Sequence, residues 1–152
     1  MTGYVEQLVE ALRNELQQYG EMLALLDVED SAGGGLPAIL NACESIQRQG
    51  TAIEEARLLR LQQQSRLAWV IGQAEKDSIV ELLPDLPPHY QPLLGALIAE
   101  INGLVGQVRE KAMDCHTRLD AAARQLERLM TTMAEYAPTP TPGAHPIQPV
   151  TA

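Results

Sequence analysis

Phenylalanine is absent from this 152-residue chain, which holds one tryptophan and four tyrosines. Strands favour aromatic and β-branched side chains, so this scarcity, beside abundant Leu, Ala, Gln, Glu and Arg, excludes a strand-rich fold and points to helices. Basic residues are equally sparse at the start: residues 1–31 hold seven acids (Glu6, Glu10, Glu15, Glu21, Asp27, Glu29 and Asp30) against Arg13 alone, and the formal net charge is -9. Nucleic acid and anionic lipid need a basic stripe, and none is present, so neither is an expected partner. Cys43 and Cys115 are the only cysteines. Both fall at apolar, heptad-like positions, where a thiol acts as a small core residue rather than a disulfide or metal ligand. No apolar stretch approaches membrane-spanning length, and Met1 to Glu15 has no apolar run led by basic residues. The expectation is therefore a cytoplasmic protein with no signal peptide and no membrane insertion.

Catalytic signatures are missing as well. A di-iron bundle needs Glu-x-x-His pairs, and no Glu stands three residues before His89, His116 or His145. Gly33-Gly34-Gly35 lacks the Lys-Ser/Thr of a phosphate loop and reads as a linker. Glu54 and Glu55 are helix neighbours pointing about 100° apart, so they form a charged face rather than a carboxylate pair. No Ser or Thr sits in a nucleophile elbow. His116, near Asp114 and Asp120, raises a phosphotransfer role, but Thr117, Arg118, Leu119 and Asp120 follow it where that class has Leu-Lys-Gly-like residues that let a partner approach. The expectation is no enzyme, no catalytic residue, no metal and no cofactor.

What the chain does have is helical periodicity. Val5, Leu8, Leu12, Leu16, Tyr19, Leu23 and Leu26 draw one stripe on a first helix from Tyr4 to Leu26, with Thr2 able to cap it and the glycine triplet ending it. A second helix begins near Pro37 and runs to about Gln73. Its inward candidates are Leu36, Ile39, Cys43, Ile46, Ile53, Leu67 and Val70, with a bend or weak point expected around Gly50 and a solvated Gln62-Gln63-Gln64. Pro84, Pro87 and Pro88 forbid a continuous helix over residues 74–91, although Ser78 to Leu83 fits a short one.

The strongest pattern follows Pro92. Leu94, Ile98, Ile101, Val105, Val108, Ala112, Cys115, Leu119, Ala122, Leu126, Leu129 and Met133 alternate steps of four and three, a sustained heptad. From Pro92 to Met133 such a helix measures about 63 Å, against a radius of gyration of about 15 Å for a compact domain of this length. The predicted fold is all-α: an elongated antiparallel helical hairpin or bundle with a long C-terminal heptad helix. It forms a helical domain over residues 1–136. Residues 137–152, with five prolines (Pro138, Pro140, Pro142, Pro146 and Pro149) and little to bury, are expected to be a disordered tail.

Ile98 to Ala112 is expected to be core. Beyond it, Leu119, Ala122, Leu126, Leu129 and Met133, flanked by Ala123 and Met130, form an adaptable, Met-containing face suited to a partner helix. The same stripe is open to a second reading, a seam between copies of the chain.

Three stretches carry a family resemblance. Glu15-Leu16-Gln17-Gln18-Tyr19-Gly20-Glu21-Met22-Leu23-Ala24-Leu25-Leu26, Leu36 to Leu59 with its Glu54-Glu55-Ala56-Arg57-Leu58-Leu59 segment, and Ile98-Ala99-Glu100-Ile101-Asn102-Gly103-Leu104-Val105 together resemble the FlgN-type flagellar export chaperones, over roughly residues 5 to 133. The resemblance implies a cytoplasmic chaperone that binds the amphipathic terminal helices of hook-associated (hook-filament junction) proteins and delivers them to the flagellar type III export apparatus. Export-apparatus components and a weak homodimer belong to the same set of expected partners. The substrate-binding positions it implies are Leu119, Ala122, Ala123, Leu126, Leu129, Met130 and Met133. A structural, homo-oligomeric coiled coil is the alternative.

Overall fold

The computed structural model describes residues 1–31 and 35–136, and all regular structure among them is helical. Four α-helices follow one another: α1 (Thr2–Ser31), α2 (Leu36–Val70), the single turn α3 (Ile79–Leu82) and α4 (Gln91–Tyr136), with a 3-10 turn at Leu83–Asp85 after α3. The fold is all-α. The chain divides into two units, Met1–Cys115 and His116–Ala152. The expected tail and most of the glycine triplet lie outside the described residues.

In the first unit, α1 and α2 form the most extensive pairing. Their direction is fixed by polar contacts: Arg60 reaches Glu15, while Gln49 donates to the Gln18 carbonyl and side-chain oxygens at 2.9 Å each. A higher position on α2 meets a lower one on α1, so the two are antiparallel. The opening of α4 lies along α1 in the same direction, since Tyr90 donates to Glu6 at 3.4 Å and Lys111 pairs with Asp27. The first unit is thus an up-down-up arrangement of three helices.

Its core draws on all of them: Val5, Leu8, Val9 and Leu12 from α1, Leu67 from α2, Ile79 from α3, Leu86 from the connector, and Leu94, Leu97 and Ile101 from α4. Leu8, Leu12, Leu67, Leu82 and Leu94 are among the largest fully buried side chains, each contributing about 1.5–3 kcal/mol of burial. The heptad expected to supply core does so over Leu94 to Val105, but Ala112 is exposed.

The helix ends follow local chemistry. Helix α1 begins at Thr2 itself, one residue earlier than a Thr2 cap requires; the Met1 carbonyl accepts from the Tyr4 and Val5 amides at 3.1 Å. Helix α2 opens behind Gly35 with Pro37 in its first turn, where the missing N–H costs nothing. It stops at Val70, short of Gln73. Gly72 adopts φ +73°, its amide bonds the Trp69 carbonyl at 3.2 Å, and the Gln73 amide bonds the Ala68 carbonyl at 2.8 Å. That pair of bonds is a Schellman stop. Ser78 caps α3, its hydroxyl accepting from the Val80 amide at 3.2 Å.

Helix α2 departs furthest from its sequence pattern. It runs unbroken through Gly50. Val70, expected inside, is 39 % exposed, while Ala56 and Ala68 are buried. Ile39, Cys43, Ile46 and Ile53 are half-buried, and the Leu36 side chain lies outside the described residues. Of the glutamine triplet only Gln62 is exposed: Gln64 is buried, and Gln63 is half-buried with an Oε1 that makes no hydrogen bond. Gln64 escapes the expected solvation because its amide has partners inside.

Candidate functional site

Between Gly106 and Tyr136 there is neither glycine nor proline, and the run Ala121-Ala122-Ala123-Arg124-Gln125-Leu126-Glu127 consists of strong helix formers. Helix α4 therefore continues through the second unit on local preference. Asp120 and Arg124 pair at 3.0 Å one turn apart, and the Thr131 and Thr132 hydroxyls donate to the Glu127 and Arg128 carbonyls at 2.9 and 3.0 Å. Asp120, Arg124 and Thr131 lie on the side away from the heptad stripe, and Thr132 lies at its edge.

On the stripe itself, Leu126 is 52 %, Leu129 56 %, Met130 61 % and Met133 63 % exposed. Ala122 and Ala123 are also exposed, and Leu119 is half-buried. All seven residues expected to bind a partner therefore stand on one helix, with six of them open to solvent. The equivalent heptad positions Leu94 and Ile101 are buried in the first unit. The same periodic pattern serves a core at one end of α4 and presents apolar surface at the other.

Charge follows the same division. Residues 1–115 hold eight Lys and Arg against 17 Asp and Glu, and residues 116–152 three Arg against three acids. The net charge of -9 belongs to the first unit; the stripe lies in a neutral one. The stripe's chemistry is burial of Leu and Met surface, with little electrostatic steering.

Comparison with protein-family models, curated proteins and solved structures gives no match. The geometry therefore stands by itself. His116 is exposed on α4, Cys115 is buried and Cys43 is half-buried. Among the described residues, no helix is long and apolar enough to cross a membrane, and no three His, Cys, Asp or Glu side chains are placed to hold a metal ion.

A polar cluster that sequence reasoning did not assemble lies in the first unit. Glu15 is 1 % exposed and accepts from Arg60 Nε at 2.8 Å, Arg60 Nη2 at 3.3 Å and the Tyr19 hydroxyl at 3.0 Å. Arg60 Nη1 donates to Gln64 Oε1 at 3.2 Å, and Gln64 Nε2 donates to the Asp77 carbonyl at 2.7 Å. Burial, then the Glu15 charge and the hydrogen bond to it, raise the Tyr19 phenol above its ordinary pKa of 10.0. The cluster lines a cleft of about 350 Å³ with Leu12, Ser78, Ile79, Ile98 and Asn102. Its carboxylate and guanidinium neutralise each other and spend their hydrogen bonds on the fold, so the arrangement locks α1, α2 and the connector rather than activating a substrate. The only trace in the sequence is that Glu15 falls on the apolar side of α1.

Proposed function

We propose that this chain is a cytoplasmic export chaperone of the FlgN type and not an enzyme. In this reading the stripe from Leu119 to Met133 binds the amphipathic terminal helices of hook-associated proteins, prevents their premature assembly, and brings them to the flagellar type III export apparatus. The observation that carries the reading is the exposure of Leu126, Leu129, Met130 and Met133 on a helix whose earlier heptads are buried. A protein that must keep assembly-prone helices apart needs an apolar face that stays available. Covering one large side chain fully contributes about 1.5–3 kcal/mol, so a few suffice for capture. Alanines and methionines adapt to more than one partner shape and permit release.

The long heptad of α4 also admits the structural coiled-coil reading. What favours a different protein as the partner is how little charge borders the open stripe: Arg118 stands beside the half-buried Leu119, but Ala123, Gln125, Met130 and Thr132 occupy the flanking heptad positions along the exposed part, where register and self-pairing are normally set by complementary charges. The test is mass measurement by light scattering after chromatography, first of the chain alone and then mixed with hook-associated proteins. A monomer or weak dimer that forms a defined complex supports the chaperone; a tight homo-oligomer indifferent to those proteins overturns it.

A further inference from the structure

The side of α1 that bears Gly3, Gln7, Ala11 and Asn14 meets α2 at Leu59 and Gln63 across a groove of about 640 Å³, with Glu6 and Glu10 on its lining. Spacing of three and four places each set on one helix face. A Cβ added at Gly3 would meet nothing within 4 Å, so this end of the groove has room for another side chain. Both charged residues of the lining are acids. Glu10 is held loosely by the exposed Arg13 at 3.7 Å, and Glu6 accepts only a long bond, 3.4 Å, from the neutral Tyr90 hydroxyl. Gln63 Oε1 is a buried acceptor with no donor, a costly state that an incoming N–H would relieve once the amide turns toward it. Leu59, 43 % exposed, offers apolar surface to the methylene stem of a long cationic side chain.

We infer that this groove is a second docking surface, taking a Lys- or Arg-bearing segment of a partner protein. A second copy of the chain is a poor occupant, because the whole net charge of -9 resides in the unit that carries the groove and two such units repel. The groove is lined by α1 and α2 alone, so it works independently of the stripe on α4.

The test uses the full chain and a fluorescein-labelled helical peptide of alanine with lysine at every third or fourth position, with the glutamate version as control, followed by anisotropy. The lysine peptide binds, the glutamate peptide does not, and added salt weakens binding. The double variant Glu6→Gln/Glu10→Gln loses about fivefold or more in affinity, as does Leu59→Ser. The double variant Glu44→Gln/Glu55→Gln, with the same change in net charge on exposed positions of α2, keeps wild-type affinity, and so does Leu126→Asp. Equal losses in the two charge variants would reduce the effect to overall charge and overturn the inference, as would absence of binding to the lysine peptide.

Discussion

Arg60 of α2 grips Glu15 of α1 through two hydrogen bonds, 2.8 Å from Nε and 3.3 Å from Nη2, with the carboxylate only 1 % exposed. Forty-five residues separate them, so the pair fixes the register of the antiparallel helices. Taking two charges out of water costs several kcal/mol per ion, and their attraction repays this only while both are present.

Arg60→Ala leaves Glu15 buried without its cation, so the variant should be about 3–5 kcal/mol less stable in urea unfolding. Glu15→Leu/Arg60→Met, which removes both charges, should return to within about 1 kcal/mol of wild type or exceed it. A double variant as unstable as the single one would mean that the pair contributes net stability rather than specificity.

The Tyr19 phenol, raised by burial and by Glu15, predicts a pH effect of definite sign. Below pH 10 it is protonated in both folded and unfolded chains, and its contribution is fully present. Above pH 10 the unfolded chain releases the proton first, so stability falls until the folded phenol titrates too. Tyr90 is raised by the same kind of causes and adds a slope of the same sign. Subtracting the alkaline stability profile of Tyr19→Phe from that of wild type isolates Tyr19, and a difference independent of pH would contradict the assignment.

Two glycines should respond in opposite directions to alanine. Gly72 sits at φ +73° in the stop of α2, so Gly72→Ala should cost about 1–2 kcal/mol. Gly50 lies inside α2, and a Cβ there would meet nothing within 4 Å, so Gly50→Ala should stabilise by about 0.5–1 kcal/mol. Thermal unfolding of both variants checks the pair.

Much of the helical fold is legible in the sequence because one face of each long helix carries a repeating apolar signal. In α4 the signal covers Leu94 to Met133 without interruption, and the helix follows it. The pattern weakens wherever burial is achieved by means other than large apolar side chains. Ala56 and Ala68 are buried by close approach, and Glu15 and Gln64 by hydrogen bonds to groups distant in sequence. A glutamine that will meet the Asp77 carbonyl has the same local hydropathy as one in water. Val70 misleads in the opposite direction: it continues the stripe, but the helix ends there and leaves it on the surface. Nor does periodicity separate the buried half of the α4 stripe from the open half. The distinction depends on where α1 and the connector lie against α4.

Helix α4 tests that distinction directly. Leu94→Asp places a charge in a fully buried position and should prevent folding of the first unit, seen as loss of cooperative unfolding. Leu126→Asp alters a side chain already 52 % exposed and should shift stability by no more than about 0.5 kcal/mol.

The most direct measurement of the account is therefore titration calorimetry of a hook-associated protein with wild type and with Leu126→Asp, helicity being checked in parallel by circular dichroism. The chaperone reading predicts a defined complex with wild type, no detectable binding by the variant, and unchanged helicity. Equal binding by both chains, or loss of helix in the variant, would contradict the assignment of the Leu119 to Met133 stripe as the binding face.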